Sequence, residues 1–375
     1  MLEVATIFRD CSEKLKSQHA WRLEPVHYRA IDDITKCRTP EIGSGLVWAC
    51  PNCEESYFVY RSCGNRNCPK CGREKVTSWL KRRQDDILPI NYYMATFSLP
   101  AEFRPLCRRY PTEMYNLFFK TASIALKKVA LNPRFLGGTI GMIATLQTWR
   151  RDGEFHPHLH ILIPGGAIST DGKQWLYPRN RKFLMPAKSV GKKFREEFQT
   201  GFKKIDFASV DAGVGLDGTS VPAEVWKKNF VVDIRKTGNG MSTFKYVAPY
   251  MQRGFINNGR LKKYDGRNVT FEYKESKTRQ IKYKTLSALT FMILYLKHVL
   301  PSGFQKTRYY GLEAAVHQQK RKGIRLLILL SRQQEPPEKE DFTVKPVLCP
   351  KCKTPMQMVI GYCIRPPPGV KALYA

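Results

Sequence analysis

Three of the chain's seven histidines fall within five residues, in His156-Pro157-His158-Leu159-His160. Side chains two apart along a strand share a face, and Phe155, Leu159, Ile161 and Ile163 read as a strand running through the motif. His156, His158 and His160 then point one way, an arrangement costly to a core and useful to a divalent metal ion with open coordination positions. Such an ion polarises a phosphoryl oxygen, and a tyrosine beside it can attack the phosphorus and become a phosphotyrosine. Tyr246 and Tyr250 follow about ninety residues later. Four apart, they would stack on one helix face, a spacing that by itself belongs as readily to core packing. Pro249 lies between them, so a helix either starts near it, leaving Tyr246 just outside, or kinks there.

The second chemistry is that of thiols. The chain has 11 cysteines. Cys50-Pro51-Asn52-Cys53 and Cys68-Pro69-Lys70-Cys71 are two Cys-x-x-Cys knuckles, and two such turns make one tetrahedral zinc site. No thioredoxin-like pattern surrounds them, which argues against redox use. Cys37 and Cys63 are left over, either joining a second zinc with His27 or sitting as small buried residues. Cys349-Pro350-Lys351-Cys352 repeats the knuckle near the C-terminus. It offers two ligands, so it is half a ribbon completed elsewhere or a small third site.

Sixty-three Lys+Arg against 32 Asp+Glu give a formal charge of +31. A surplus of that size favours a polyanion, and nucleic acid is the usual one. The basic residues are interleaved with aromatic ones, which suits a binding face on folded structure rather than a tail. Arg61 and Arg66 sit in the loop between the knuckles. Lys306, Arg308, Tyr309 and Tyr310 form a basic, aromatic stretch suited to stacking bases. The chain shows neither a signal peptide nor an apolar run of membrane-spanning length, so a cytoplasmic location and no membrane partner are expected.

The elements that must position these groups can be read in outline. Residues 1–36 are helical and broken by Pro25, and a charged helix runs from Arg73 to about Leu88. Tyr92–Leu99 is a buried strand, and Tyr115–Leu131 a helix. Gly138–Arg150 and the histidine strand form a hairpin closed by Arg151-Asp152-Gly153-Glu154. A basic helix spans Ala187–Phe202, Phe230–Ile234 is a short strand, and Thr237–Gly240 a turn. Val269–Tyr273 and Arg279–Tyr283 form a last hairpin with Lys274–Lys277 as its loop. Ala288–Val299 is an apolar helix, and Gln333–Lys345 a polar linker.

His158-Leu159-His160 followed by a tyrosine pair resembles the HUH endonuclease superfamily. More narrowly, the chain resembles the two-tyrosine rolling-circle transposases of bacterial insertion sequences of the ninety-one type. The likeness runs through Cys37-Arg38-Thr39, Cys63-Gly64-Asn65-Arg66-Asn67-Cys68-Pro69-Lys70-Cys71, Lys245-Tyr246-Val247-Ala248-Pro249-Tyr250, Asn258-Gly259-Arg260-Leu261, His298–Phe304 and Arg308-Tyr309-Tyr310-Gly311.

The resemblance implies an α+β fold: an antiparallel five-stranded, ferredoxin-like palm, an N-terminal cysteine-rich zinc domain and a helical, knuckle-bearing C-terminal part. The expected division is 1–88 helical and zinc-binding, 89–284 endonuclease, 285–334 helical DNA-binding extension, and 335–375 linker and knuckle. His158 and His160 would hold Mg2+ or Mn2+. Gln147, across the hairpin, is the favoured third ligand, with His156 and Glu154 as alternatives. Tyr246 and Tyr250 would be the nucleophiles that cut and rejoin single-stranded DNA at element ends through a 5′-phosphotyrosine. Cys37, Cys50, Cys53, Cys63, Cys68 and Cys71 would hold structural zinc. Arg61, Arg66, Arg253, Arg260, Lys306, Arg308 and Tyr309 would contact end and target DNA in the nucleoid, and a homodimer is left open. The alternatives are an HUH replication initiator or relaxase, and a non-catalytic zinc-containing DNA-binding protein.

Overall fold

The computed structural model describes residues 2–180, 183–207, 221–252, 254–276, 278–331 and 346–373, with Arg73, Tyr250 and Gln252 placed by backbone alone. The expected linker residues 333–345 therefore lie outside the described residues, as do Arg253 and Lys277.

In chain order, α1 (Val4–His19) and α2 (Pro25–Lys36) precede the hairpin of β1 (Gly45–Ala49) and β2 (Ser56–Tyr60). The helical stretch is in two pieces, as Pro25 implies: Pro25 occupies the first turn of α2, where a missing N–H costs nothing. Next come α3 (Pro69–Arg83), β3 (Asn91–Ser98), α4 (Arg104–Arg109) and α5 (Pro111–Ala130), then the histidine hairpin of β4 (Gly141–Trp149) and β5 (Phe155–Pro164). The short pair β6 (Ala167–Ile168) and β7 (Trp175–Leu176), α6 (Ala187–Phe202), β8 (Val231–Asn239) and α7 (Gly240–Gln252) follow. A meander of β9 (Leu261–Tyr264), β10 (Asn268–Lys274) and β11 (Ile281–Ser287) leads to α8 (Ala288–Leu296), β12 (Thr307–Gly311), α9 (Gln318–Ser331), β13 (Gln357–Cys363) and β14 (Lys371–Leu373).

The fold is α+β, centred on an antiparallel five-stranded sheet of order β12-β4-β5-β3-β8. β4 is buried along almost its whole length, as a central strand covered on both faces must be. One face carries Ala144, Leu146, Leu159 and Ile161, packed against the aromatic stripe of α5 and α6, including Phe118, Phe194 and Phe198. The other carries Ile143 and Leu162, packed against Phe244, Val247, Ala248 and Met251 of α7 with Trp79 of α3 and Ile324 of α9.

Two assignments change here. The basic aromatic stretch near 304–310 is the edge strand β12, paired with β4 from Thr307↔Thr145 to Gly311↔Gly141, and not part of a helical extension. The expected turn at Thr237–Gly240 is instead the end of β8. A bulge opposite Tyr92 and Tyr93 leaves Thr237 out of the ladder, next to Gly238, whose φ of 142° suits glycine alone.

The N- and C-terminal parts are one unit. β13 and β14 flank the first hairpin to give the sheet β13-β1-β2-β14, so residues 357–373 complete the cysteine-rich region. α1, α8 and the β9–β11 meander share a second core, with Phe8 and Tyr295 edge to face at 5.2 Å. α9 is fastened by a buried charge network. Arg321 donates to the Leu312 and Ala314 carbonyls and pairs with Asp86, while Arg83 pairs with Glu313.

Candidate active site and cysteine centres

β5 supplies the histidines, and its neighbours supply what surrounds them. One row across the sheet holds Gln147, His158 and Ser98; the next holds Thr145, His160, Thr96 and Asp233. Cross-strand pairs share a face, so these side chains stand on the α7 side. The following row, Ile143 and Leu162, is sealed by α7. That packing turns the opposite flank of α7 toward the histidines and leaves Tyr246 58% exposed. α7 runs unbroken through Pro249, so Tyr246 is helical. A proline inside a helix costs about 3 kcal/mol, a cost opposed by burial of Val247, Ala248 and Met251 beside it.

A cleft of about 790 Å³ is lined by His156, His158, His160, Gln147, Tyr246 and Asp233, with Arg150, Arg151, Arg235 and Lys236 at its walls. Two sequence motifs about ninety residues apart thus meet in one concavity. The Tyr250 side chain and Arg253 lie outside what is described.

Burial holds the histidines neutral. It pushes His160 down to about 3, helped by His158 and Lys306, and His156 down to about 4, helped by His158 and Arg104; His158 is lowered as well. Neutral imidazole is the form that binds a metal.

Hydrogen bonds then separate the three rings. Arg104 donates to Nδ1 of His156 at 3.0 Å, occupying that ring's lone pair. His158 donates Nδ1–H to the His156 carbonyl at 2.8 Å, which puts the ring's lone pair on Nε2. The Thr96 hydroxyl lies 3.4 Å from Nδ1 of His160. The His158 and His160 rings are 4.8 Å apart. Among the described residues they form no triad within 4.8 Å with a further His, Cys, Asp or Glu. Glu154 is engaged by Lys284 at 2.7 Å. Gln147 is buried and stands opposite His158, with its amide in the same row. Asp233, in the His160 row and ion-paired with Arg235 at 2.7 Å, was missed from sequence. Its signal was the alternation of Val231-Val232-Asp233-Ile234, which puts it on the polar face.

The two N-terminal knuckles do not share a site. Cys68 and Cys71 cluster with Cys37 and Cys63, and Cys50 and Cys53 cluster with Cys349 and Cys352. Sulfur separations of 3.7 and 3.7 Å in the first cluster and 3.4, 3.5 and 3.8 Å in the second are far beyond a disulfide. They match the roughly 3.8 Å edge of a tetrahedron with Zn–S bonds of about 2.3 Å. Each cluster therefore fits one Zn2+. His27 is no ligand: its Nδ1 accepts the Glu24 backbone N–H in a capping box. The first cluster is built into the core shared by α1 and α8, and the second ties β1–β2 to the chain's C-terminal part.

The expected DNA contacts divide by geometry. Arg260 donates to the carbonyls of Glu272, Phe255 and Arg151, a clasp on the loop before β9. Arg308 lies over Phe119 and Phe304 and donates to Asn116. The Tyr309 hydroxyl accepts from Trp79 at 3.0 Å beneath Arg83. Arg61 is exposed against Tyr362 of β13. Arg66 and Lys306 converge on a smaller pocket beside the cleft, where burial first and the Arg66 charge second lower Lys306 to about 7.

The five-stranded antiparallel sheet, its histidine-bearing cleft and the cysteine-rich module stand in a chain that two transposase family models match. Residues 7–99 match a family described as transposase zinc-binding domain, and residues 141–321 one described as putative transposase. The chain belongs to the IS91-type transposases. It is 32% identical to the putative transposase y4qJ of Sinorhizobium fredii, over 82% of this chain and 79% of that protein. It is 21% identical to the transposase of insertion sequence element IS801 from Pseudomonas savastanoi pv. phaseolicola, over 77% and 70%. No solved structure matches. No helix among the described residues is long and apolar enough to cross a membrane.

Proposed function

We infer that this transposase cuts and rejoins single-stranded DNA by tyrosine attack, in the manner of the HUH two-tyrosine enzymes. The observation that carries the reading is the shared cleft, in which Tyr246 and the pair His158 and His160 line one wall system. The reading is further supported by the place of the histidines on the central strand and by the packing of the tyrosine helix across that face of the sheet.

Mg2+ or Mn2+ bound by His158, His160 and Gln147 would supply Lewis-acid polarisation of the scissile phosphate. The protein's own groups do the rest. Arg150, Arg151, Arg235 and Lys236 neutralise the strand at the cleft walls. The Tyr246 phenol oxygen forms a bond to phosphorus as the bond to the 3′ oxygen breaks. The proton lost by the phenol is balanced by the one the leaving 3′-hydroxyl takes up. The phosphodiester's energy stays in the 5′-phosphotyrosine, so rejoining needs no outside energy source. Tyr250, one turn on, is the second nucleophile, able to act while Tyr246 holds an end.

The test is a denaturing gel after incubation with Mn2+ and single-stranded DNA carrying the element's end. A covalent adduct should appear and be lost only when both Tyr246→Phe and Tyr250→Phe are made. No adduct with any divalent metal rejects the reading.

A further inference from the structure

Beside the catalytic cleft lies a pocket of about 240 Å³, and beyond that a hollow of about 350 Å³. They are not separate dents. Trp149 and Gly254 line both cleft and pocket. Arg66, Asn67, Lys75 and Leu300 line both pocket and hollow. The three form one furrow, running from the histidine face along the seam between the five-stranded sheet and the loop that carries the first cysteine cluster.

The charge of this furrow is lopsided. The middle pocket holds Arg66, Lys75 and Lys306 and, among the described residues, no Asp or Glu; Asp233 in the cleft and Asp33 in the hollow are outnumbered there by Arg and Lys. Like charges gathered in a half-buried place repel one another, at a cost that a polyanion would relieve. Lys306 stands 5.1 Å over the Trp149 ring, so the junction with the cleft combines an aromatic face with a cation, as single-strand channels do. Two of the cations are fixed by backbone. Arg66 donates to the Phe304 carbonyl and Lys75 to the Gly64 carbonyl, each at 2.5 Å. At Gly254 the two banks approach closely, since a Cβ there would stand 3.3 Å from the Asn67 carbonyl oxygen.

We propose that this furrow is a second DNA-binding site, which carries the phosphodiester backbone of the single strand leaving the catalytic cleft between Lys306, Arg66 and Lys75 toward the cysteine-rich module. The proposal rests on the single-strand reading of the cleft. It gives the first cysteine cluster a task beyond rigidity: its loop forms one bank of the channel, so the metal-bound fold sets the path of the strand.

Oligothymidylate is the probe, with affinity measured against salt by fluorescence anisotropy. For single strands each phosphate contact contributes about 0.7 to the slope of log affinity on log salt. At pH 6, where Lys306 is protonated, Lys75→Gln with Lys306→Gln should therefore lower the slope by about 1.4 at unchanged zinc content and thermal midpoint. His158→Ala with His160→Ala should leave it unaltered. An unchanged slope in a folded Lys75→Gln, Lys306→Gln protein overturns the proposal.

Should that variant fail to fold, photocross-linking of wild type by 5-iododeoxyuridine oligonucleotides decides. Labelling of the Trp149 peptide together with the Gly64–Lys75 peptide supports the channel, and labelling confined to other surfaces overturns it. The adduct assay separates the two readings. An adduct with an unchanged slope removes the channel and keeps the chemistry. A changed slope without an adduct removes the tyrosine chemistry and keeps the channel.

Discussion

Gln147 stands directly opposite His158 in the β4–β5 ladder. The pair sits where a strand buried along both faces meets the polar floor of the cleft. The Gln147 amide oxygen is placed in the row of His158, within reach of an ion that His158 and His160 would hold. Gln147→Ala should raise the Mn2+ concentration for half-maximal adduct formation by at least about tenfold, with DNA affinity unchanged. Gln147→Glu, which restores an oxygen donor, should recover most of the loss. Equal metal dependence in wild type and Gln147→Ala would exclude the side chain as a ligand.

The cysteine pairing carries a stoichiometric prediction. Two four-sulfur clusters should bind two zinc ions per chain, counted by native mass spectrometry. Cys349→Ser with Cys352→Ser should leave one. It should also open residues 346–373 to protease, because β13 and β14 are held to the β1–β2 hairpin beside that cluster. The same exchange at Cys68 and Cys71 should be far more damaging, since that cluster lies in the core with α1 and α8. Two zinc ions retained in the Cys349, Cys352 variant would refute the assignment.

What was legible in the sequence was local. The histidine hairpin declared itself through period-two alternation and the Asp152-Gly153 turn, and Ala187–Phe202 was legible as a basic helix, the α6 of the structure. The knuckles were recognisable as metal ligands, because two thiols on one tight turn can do little else so well. Their partners were not, because a Cys-x-x-Cys turn fixes only two corners of a tetrahedron. Which second turn completes it is decided by strands joining a sheet from some three hundred residues away, as Cys50 and Cys352 show. β12 was hidden for a similar reason. Arg308-Tyr309-Tyr310 has no alternation, and its strand character comes from pairing with β4. Asp233 needed the β3–β8 register before its row with His160 could be seen.

His298 is buried within the core that backs the cleft, and its ring joins two parts of the histidine hairpin. Nε2–H donates to the Gly153 carbonyl at 2.9 Å in the turn, and Nδ1 accepts from the Thr148 hydroxyl at 3.1 Å on β4. Both bonds need the neutral ring, and burial lowers its pKa from 6.5 to about 4. The unfolded chain therefore takes up a proton before the folded one. The stabilisation is whole above about pH 6.5 and drains away as pH falls toward 4. The loss due to this ring is on the order of 1 kcal/mol at pH 5.5. His298→Gln should be less stable at pH 7 for want of the paired hydrogen bonds, yet lose correspondingly less on acidification. Urea midpoints for both proteins at pH 7 and 5.5 measure it: the zinc thiolates titrate in each, so the difference between the two proteins isolates the imidazole. Equal acid losses would show that His298 is protonated within the fold and that the hairpin is positioned by other contacts.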